Sequence, residues 1–313
     1  NEPIPVYVFT GFLESGKTRF VQETLADDYF SGGERNLVIA CEEGVEEYED
    51  ELLQKTNTTL VVLEDKSEFN EMFLAECQKK YKPTQIIVEY NCMWGLDYLR
   101  EMYMPKGWFV AQVITTVDAT TFDVYLKNMK SLFMEMAKDS DLIIFNRSTD
   151  ETPAATYKRN MRAVNPKAQV VFEKEDGSQL EFEEEMPFDI NADVIEISDV
   201  DYGIWYIDAM DHPEKYDGKT MRFKAMAYTG GRLPKGYFVP GRMAMTCCAD
   251  DTAFIGFLCK SAYVDRIKSK QWLTVTAKAH IEKRAEYSGQ EGLVLQSTNI
   301  KSAEKPEEEL VYF

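Results

Sequence analysis

The sequence lacks any uninterrupted apolar stretch of the roughly 18 to 20 residues that a membrane-spanning helix requires. Its first residues also lack the basic-then-apolar pattern of a secretion signal. The chain has six cysteines in 313 residues, and without a secretion signal they indicate reduced thiols rather than a disulfide framework. These absences exclude the membrane-spanning and disulfide-rich secreted classes, and we expect a cytoplasmic protein.

An excess of basic residues is also missing. The chain carries 35 Lys and Arg against 54 Asp and Glu, a net charge of -19. Such acidity disfavours nonspecific binding to nucleic acid or to an anionic membrane, although it leaves room for a local basic patch. Residues 1–189 hold 19 basic and 36 acidic side chains, whereas residues 190–313 hold 16 and 18. This change of character predicts two domains, at 1–188 and 189–313.

The most specific motif is GFLESGKT at residues 11–18, which follows the apolar run 6–9. A strand that leads into a glycine-rich turn and then a helix surrounds phosphate with backbone N–H groups; the lysine reaches the β and γ oxygens, and the threonine holds Mg²⁺. An ordinary glycine turn is the alternative, but the helical spacing of residues 19–25 favours nucleotide binding. The predicted nucleotide-binding residues here are Gly11, Glu14, Ser15, Gly16, Lys17, Thr18 and Arg19.

Short apolar runs alternate with helical segments in the first part of the chain. We predict a helix from Ser67 to about Tyr81, and strands at 36–41, 60–63, 86–89, 110–118 and 142–145 in addition to the first run. This order predicts an α/β domain with a doubly wound, mostly parallel sheet. Ligands of such sheets bind at the carboxyl ends of the strands.

Polar side chains follow two of these strands. Glu89 ends one, at the position where P-loop enzymes place the acid that holds Mg²⁺ or orients the attacking water. Asn146 and Arg147 follow another and approximate the NKxD element that binds guanine, but the fourth position is Thr149 and the acid, Asp150, comes one residue later. We therefore predict Lys17 and Glu89 as catalytic residues, and Asn146 and Arg147 as contacts to the base.

These motifs resemble those of the CobW-like P-loop GTPases, which handle metals and metal cofactors. The matching segments are TGFLESGKT (10–18) for TGFLGxGKT, IIVEYN (86–91) for a strand ending in ETTG, TVDATTF (116–122) for VVDAxxF, and DLIIFNR (141–147) for AD-apolar-NK. The resemblance implies GTP and Mg²⁺ as cofactors, slow intrinsic hydrolysis, and work in metal homeostasis or as a metallochaperone, with zinc as a candidate metal.

The chain also departs from that family. The CxCC motif is absent, since Cys41, Cys77 and Cys92 are isolated, and a soft metal needs two to four converging Cys or His ligands. The segment Tyr90-Asn91-Cys92 replaces the small residues and glycine of the second switch, and Arg147 replaces a lysine. These departures predict slower hydrolysis and a weaker guanine preference.

An acidic segment follows Cys41 at the place of the family's first switch. Its side chains offer oxygen ligands for Mg²⁺ or another hard divalent ion, but a solvated acidic helix face is the interpretation that we favour. The four glutamates concerned are Glu42, Glu43, Glu46 and Glu47.

The second part has the pattern of an all-β domain. Strands are predicted at 219–228, 237–245, 253–258, 272–281 and 292–298, with a helical segment at 263–270. Five short strands suggest a small OB-like barrel. The segments GKT (218–220), FVPGR (238–242), MTCCADD (245–251) and GFL (256–258) resemble the C-terminal domain of the bacterial YcgQ-type proteins, and this resemblance implies a permease as partner.

Three cysteines of the second part form a candidate soft-metal site: Cys247, Cys248 and Cys259. Adjacent strand residues point to opposite faces, so Cys247 and Cys248 share one metal only at a bulge or a strand end. We therefore favour buried core cysteines. The two histidines, His212 and His280, are far away in sequence and would join a site only through the fold.

The sequence therefore predicts a Mg²⁺-dependent GTPase whose nucleotide state controls the contact between its barrel and a protein partner, either a permease component or a metal-receiving protein. One alternative is a nucleotide-dependent switch with negligible hydrolysis. The other is a nucleic-acid-binding OB module, for which Tyr228, Tyr237, Phe238 and Arg242 provide rings and a cation. Because the second part is close to neutral, we do not expect nucleic acid as a partner.

Overall fold

The computed structural model describes residues 3–42, 44, 46–182, 186–245 and 252–313. The chain divides into two compact units, Asn1–Phe182 and Glu183–Phe313. The division falls at the acidic segment 181–187, which marks the change in charge along the sequence. Each unit is described by itself below.

A parallel sheet forms the centre of the first unit. Among its described residues the seven strands are β1 (Ile4–Thr10), β2 (Asn36–Ala40), β3 (Thr58–Val62), β4 (Gln85–Glu89), β5 (Trp108–Asp118), β6 (Leu142–Asn146) and β7 (Gln169–Phe172). Their order is β3-β2-β4-β1-β5-β6-β7, and every pair is parallel. The predicted doubly wound parallel sheet is confirmed. The chain winds in opposite directions on the two sides of β1, so the loop after β1 lies at the switch point of the sheet.

Seven helices connect these strands in the described part of the first unit: α1 (Lys17–Ala26), α2 (Asp28–Ser31), α3 (Asp50–Lys55), α4 (Glu71–Tyr81), α5 (Leu96–Glu101), α6 (Phe122–Asp139) and α7 (Ala154–Val164). The helix predicted from Ser67 begins at Glu71 instead. Asp65 caps a separate 3-10 turn at Lys66–Glu68, and Asn70 then caps α4 by accepting a hydrogen bond from the amide of Phe73. Two caps in succession divide what the periodicity presents as one helix.

The core under α1 fixes the position of the loop that precedes this helix. Phe20, Val21 and Leu25 of α1 pack in one buried cluster with strand residues that include Val38 and Ile87. Strands β2 and β4 are buried at every residue, as expected for parallel strands covered on both faces. Truncation of fully buried Leu25 to alanine is expected to cost about 2–5 kcal/mol.

The second unit is a closed barrel. Its described strands are β8 (Ile195–Glu196), β9 (Thr220–Tyr228), β10 (Tyr237–Met245), β11 (Thr252–Gly256), β12 (Cys259–Lys260), β13 (Trp272–Lys283), β14 (Glu291–Ser302) and β15 (Leu310–Val311). The ring runs β10-β12-β14-β13-β9 and closes because β9 also pairs with β10, where Tyr228 opposes Val239. Closure pairs the five ring strands with one another, and β8 and β11 extend from the ring as end strands. The OB assignment of this barrel stays a prediction.

A helix that the sequence patterns did not indicate, α8 (Tyr202–Asp211), packs on the barrel. Its Trp205 is fully buried, with ring centroids 4.8 Å from Phe223 and 5.5 Å from Phe257. A β-carbon on Gly203 of this helix would lie 2.4 Å from the backbone oxygen of Tyr312, so glycine permits the C-terminal segment to cross the helix. Glycine is unfavourable inside a helix, but at Gly203 its missing side chain permits this close contact.

The helical segment predicted at 263–270 is reduced to a 3-10 turn at Val264–Arg266. Arg266 N donates to Tyr263 O within this turn. Lys270 N donates to Ala227 O at 2.7 Å and so does not continue a helix. In the part of the chain that the structure describes, no helix is long and apolar enough to cross a membrane.

Candidate nucleotide site

The loop between β1 and α1 has a backbone that two glycines make possible. Gly11 and Gly16 have φ of 142° and 92°, a region that L side chains rarely adopt. A β-carbon on Gly11 would lie 2.4 Å from the backbone oxygen of Thr116, and one on Gly16 would lie 2.6 Å from Nδ2 of Asn146. The loop therefore lies tightly against the ends of β5 and β6.

The amino end of α1 has no side-chain cap. Gly16 occupies the N-cap position without a capping side chain, and the first turn contains no acidic residue. The first amides of a helix have no partner within the helix, and the helix dipole adds positive potential there. An uncapped helix start behind a glycine-rich loop is an anion-binding arrangement.

Lys17 lies at the centre of this loop and is 3% exposed. Its Nζ donates to the backbone oxygens of Gly11 (3.0 Å) and Phe12 (2.8 Å). The same atom lies 2.5 Å from Oε1 of Glu42, whose side chain is 11% exposed. The sequence favours a solvated acidic face for this segment, and for Glu42 that interpretation is wrong. Glu42 is instead the carboxylate partner of Lys17.

Glu89 ends β4 and is hydrogen-bonded on both carboxylate oxygens. Thr18 Oγ1 donates to its Oε1 at 2.8 Å, and the hydroxyl of Tyr48 donates to its Oε2. Burial raises the pKa of this carboxyl above its ordinary value, while the hydrogen bonds from Tyr48 and Thr18 and the charge of Lys17 oppose that rise. Burial and the charge of Glu89 also raise the pKa of Tyr48. A hydroxyl and a carboxylate therefore meet beside the start of α1.

The far side of the loop is tied to β5 and β6. Oγ of Ser15 lies 2.7 Å from Oγ1 of Thr116, and Asn146 Nδ2 donates to the backbone oxygen of Ser15 at 2.5 Å. Oδ1 of Asn146 is buried without a hydrogen-bond partner among the described residues. This amide thus positions the loop with its nitrogen and retains a buried acceptor.

Arg147 and Asp150 have different surroundings. The guanidinium of Arg147 pairs with the carboxylate of Asp118 and donates to the backbone oxygen of Glu14 at 3.2 Å, so it lies along the loop. Asp150, the acid that comes one residue late, is exposed and pairs with Lys174 at 3.0 Å. That contact keeps Asp150 outside the group of residues around the loop.

Arg19 points toward the end of β7. Its Nη2 donates to Oε1 of Glu173 at 2.6 Å, and the guanidinium lies 4.6 Å from the ring centroid of Phe20. Burial raises the pKa of Glu173, and Arg19 opposes the rise. Glu173 directly follows β7, which pairs with β6 in the sheet. No local sequence motif marks this position.

A cavity of about 310 Å³ lies in front of the loop. Six of the ten predicted nucleotide-site residues and three residues of the acidic segment line it. The lining consists of Leu13, Glu14, Gly16, Lys17, Thr18, Glu42, Gly44, Glu46, Glu89 and Arg147. Gly11 and Ser15 belong to the loop itself, Asn146 supports the loop from β6, and Arg19 faces Glu173. Glu47 meets Gln22 through its backbone oxygen, and Glu43 lies outside the described residues.

The predicted soft-metal site is described in part. Cys259 lies in β12, is fully buried, and has a pKa raised to about 12 by burial. Cys247 and Cys248 lie outside the described residues. Within residues 3–42, 44, 46–182, 186–245 and 252–313, no group of three or more His, Cys, Asp and Glu side chains is arranged to hold a metal. Burial also raises the pKa of Cys41 and brings that of Cys92 to about 11.

Two family descriptions match the chain. "CobW/HypB/UreG, nucleotide-binding domain" matches residues 5–172, and "DUF1980 C-terminal domain" matches residues 172–313. The first match covers the segment in which the CobW-like motifs occur, and that resemblance is confirmed. The second covers the region whose segments resemble the C-terminal domain of the YcgQ-type proteins. A comparison with curated proteins gave no match.

Solved structures share parts of this chain at low identity. The Zn(II)-bound YjiA GTPase from E. coli is 18% identical over 54% of this chain and 57% of its own, with a TM-score of 0.42. The hydrogenase maturation factor HypB from Archaeoglobus fulgidus is 16% identical over 56% of this chain and 84% of its own, with a TM-score of 0.41. This chain thus spans less than two thirds of the YjiA structure.

Proposed function

Because the chain belongs to the CobW/HypB/UreG family of nucleotide-binding domains, we propose that its first unit binds GTP with Mg²⁺ and hydrolyses it slowly. The observation that carries this proposal is the loop around Lys17. A buried cation, an uncapped helix start and two glycines with positive φ converge at the carboxyl end of the central strand. Such an arrangement suits a polyphosphate chain.

Lys17 is the residue that we assign to the β and γ phosphates. Its ammonium group already has two backbone acceptors, which fix its position, and one carboxylate partner, Glu42. A phosphate oxygen would take the place of that carboxylate, so Glu42 must move when triphosphate binds. The loop amides and Lys17 would then stabilise the negative charge that develops on the phosphates during hydrolysis.

The donor set beside the loop fits Mg²⁺. Thr18 offers a hydroxyl and Glu89 a carboxylate, and the two oxygens are 2.8 Å apart, which matches the preference of Mg²⁺ for oxygen ligands. When bound, the ion supplies charge neutralisation at the phosphates. Glu89 holds its carboxylate toward this position because Tyr48 fixes the second oxygen.

We assign the base to Asn146 and Arg147. Oδ1 of Asn146 is a buried acceptor for which the described residues provide no hydrogen-bond partner, and Arg147 has a long side chain along the loop. Asp150 pairs with Lys174 instead of lining the cavity, so we expect a weaker preference for guanine than an NKxD element gives. We propose metal homeostasis or metallochaperone work as the finer role, because the CobW-like resemblance implies it. The candidate partners are a metal-receiving protein and, from the YcgQ-type resemblance of the second part, a permease component.

The test is phosphate release from GTP and from ATP with Mg²⁺, with and without Zn²⁺, for wild type, Lys17→Ala and Lys79→Ala. Lys79 is exposed on α4 and serves as a control of equal charge. We expect turnover that prefers GTP, that Lys17→Ala abolishes and that Lys79→Ala leaves unchanged. Binding of triphosphate without phosphate release would favour the nucleotide-dependent switch, and equal turnover by Lys17→Ala would refute the assignment of this site.

A further inference from the structure

Two segments of the barrel carry a local excess of positive charge in a strongly acidic chain. Residues 228–237 and 260–271 together contain a single acid, Asp265. Their cations are Arg232, Lys235, Lys260, Arg266, Lys268 and Lys270. The near-neutral total charge of residues 190–313 conceals this clustering, because the acids of that part lie elsewhere in the sequence.

Backbone hydrogen bonds hold the two segments side by side. At one end, Tyr237 pairs with Lys260 between β10 and β12, and Ser261 N donates to Gly236 O at 2.9 Å. At the other end, Lys270 N donates to Ala227 O at 2.7 Å, next to Tyr228. The segments are thus bonded at both ends and form one surface, which we call the basic rim (residues 228–237 and 260–271).

The cations of the basic rim face solvent. All six are exposed, and none forms an ion pair with another side chain in the described part of the chain. A neighbouring cation, Arg284, behaves differently because Glu282 and Glu286 lie 3.4 Å and 3.2 Å from its guanidinium. The rim therefore retains positive charge that no described acid neutralises.

Two exposed aromatic rings belong to the basic rim. Tyr228 and Tyr263 are 47% and 54% exposed. A β-carbon on Gly230 would lie 2.1 Å from the hydroxyl oxygen of Tyr228, so this glycine lets the Tyr228 ring lie against the loop. The guanidinium of Arg266 lies 5.9 Å from the ring centroid of Tyr263. Of the residues that the sequence offers for nucleic acid, Tyr228 is exposed on the basic rim, whereas Phe238 and Arg242 are buried.

We propose that the basic rim binds single-stranded nucleic acid, with the six cations contacting phosphates and with Tyr228 and Tyr263 stacking on bases. An anionic membrane or an acidic protein segment requires only the charge. Exposed rings flanked by cations at the loop end of a small barrel are the combination that single-stranded nucleic acid uses. This activity does not depend on the nucleotide site of the first unit.

The first test measures binding of the full chain to a fluorescent oligothymidylate of about 20 nucleotides, which exceeds the usual site size, by anisotropy at several salt concentrations. The rim variant is Lys235→Ala with Arg266→Ala and Lys268→Ala. The matched control replaces three exposed lysines of the first unit: Lys55→Ala with Lys79→Ala and Lys127→Ala. We expect the rim variant to lower the salt slope by about 2, at about 0.7 per lost phosphate contact, and the control to leave it unchanged.

A second test separates stacking from charge. Tyr263→Ala is expected to weaken oligonucleotide binding about tenfold, whereas Tyr263→Phe, which keeps the ring, retains the wild-type affinity. Lys17→Ala should also bind the oligonucleotide as wild type does, which separates this site from the phosphate loop.

Several outcomes would overturn the proposal. These are an absence of oligonucleotide binding at low salt, an equal loss in the rim and control variants, and an equal effect of Tyr263→Ala and Tyr263→Phe. Polyglutamate and phosphatidylserine vesicles are tested in parallel. Rim-dependent binding of either, without rim-dependent binding of the oligonucleotide, would assign the surface to an acidic protein or a membrane instead.

Discussion

The two units hold their cations in opposite ways. Lys17 is buried, with two backbone acceptors and one carboxylate around its ammonium group. The cations of the basic rim are exposed and lack ion pairs among the described side chains. A buried, oriented cation favours one ligand geometry, whereas exposed cations attract any polyanion and respond strongly to salt. We therefore propose a selective phosphate site in the first unit and a salt-sensitive polyanion surface in the second.

The largest expected effect comes from filling the loop that holds Lys17. Gly11→Ala places a β-carbon 2.4 Å from a backbone oxygen of β5, and we expect it to lower the free energy of unfolding by about 3 kcal/mol or more and to abolish nucleotide binding. Urea denaturation and nucleotide titration check this.

The control for that variant is Gly33→Ala. Gly33 also has positive φ (82°), but its β-carbon would meet nothing within 4 Å, so it isolates backbone strain, about 1–2 kcal/mol. Equal losses of stability in the two variants would show that the contact with β5 is unimportant.

Salt is expected to separate the two sites next most strongly. With six rim cations contacting phosphates, the logarithm of oligonucleotide affinity should fall with the logarithm of salt at a slope of about -4. GTP affinity should fall with less than half that slope, because Lys17 is buried and meets a short ligand. Parallel titrations at several salt concentrations check this, and equal slopes would remove the distinction between the sites.

Glu42→Gln sharpens the description of the loop lysine. It removes the carboxylate that competes with phosphate for Lys17, so we expect GTP to bind about tenfold more tightly, at the lower end of the about 1.5–3 kcal/mol of one hydrogen bond to a charged group. Glu46→Gln is the control, since Glu46 lines the same cavity and has no ion pair with Lys17. Calorimetric titration distinguishes them, and weaker binding by Glu42→Gln would make Glu42 a binding residue rather than a competitor.

The smallest expected effect is a pH dependence of stability from Glu89. Burial raises the pKa of its carboxyl in the folded state, so the folded protein binds the proton more tightly than the unfolded chain does. The resulting stabilisation is present below the unfolded pKa and is lost as pH rises through the folded pKa. The stability of wild type relative to Glu89→Gln should therefore fall between about pH 5 and about pH 8. Denaturation at both pH values checks the sign, and a rise would mean that the hydrogen bonds outweigh burial.

The phosphate loop was predictable from sequence because its determinants are local. Gly11, Gly16 and Lys17 lie within one turn and one helix start, and the strand before them is a continuous apolar run. The acid at Glu89 was predictable for a similar reason, since it ends an apolar strand. These features depend on neighbours in sequence, and the parallel sheet then brings them to one edge.

The partners of these residues were not predictable because the sheet order creates them. Glu42 follows β2 and Glu89 ends β4, and only the order β2-β4-β1 brings both to the loop after β1. Tyr48 reaches Glu89 from an acidic segment that resembles a solvated face. In the second unit, the rim cations lie in two segments about 30 residues apart in sequence, and the β10–β12 pairing together with the hydrogen bond from Lys270 N to Ala227 O brings them side by side.

The central claim is that Lys17 makes the first unit a phosphate-binding site. The most direct test is calorimetric titration of wild type and Lys17→Ala with GTP and Mg²⁺, with Lys79→Ala as the control. We expect wild type and the control to bind equally and Lys17→Ala to lose about 100-fold or more in affinity, as removal of a buried charge-assisted contact implies. Equal GTP affinity in wild type and Lys17→Ala, or no binding by wild type, would contradict the account.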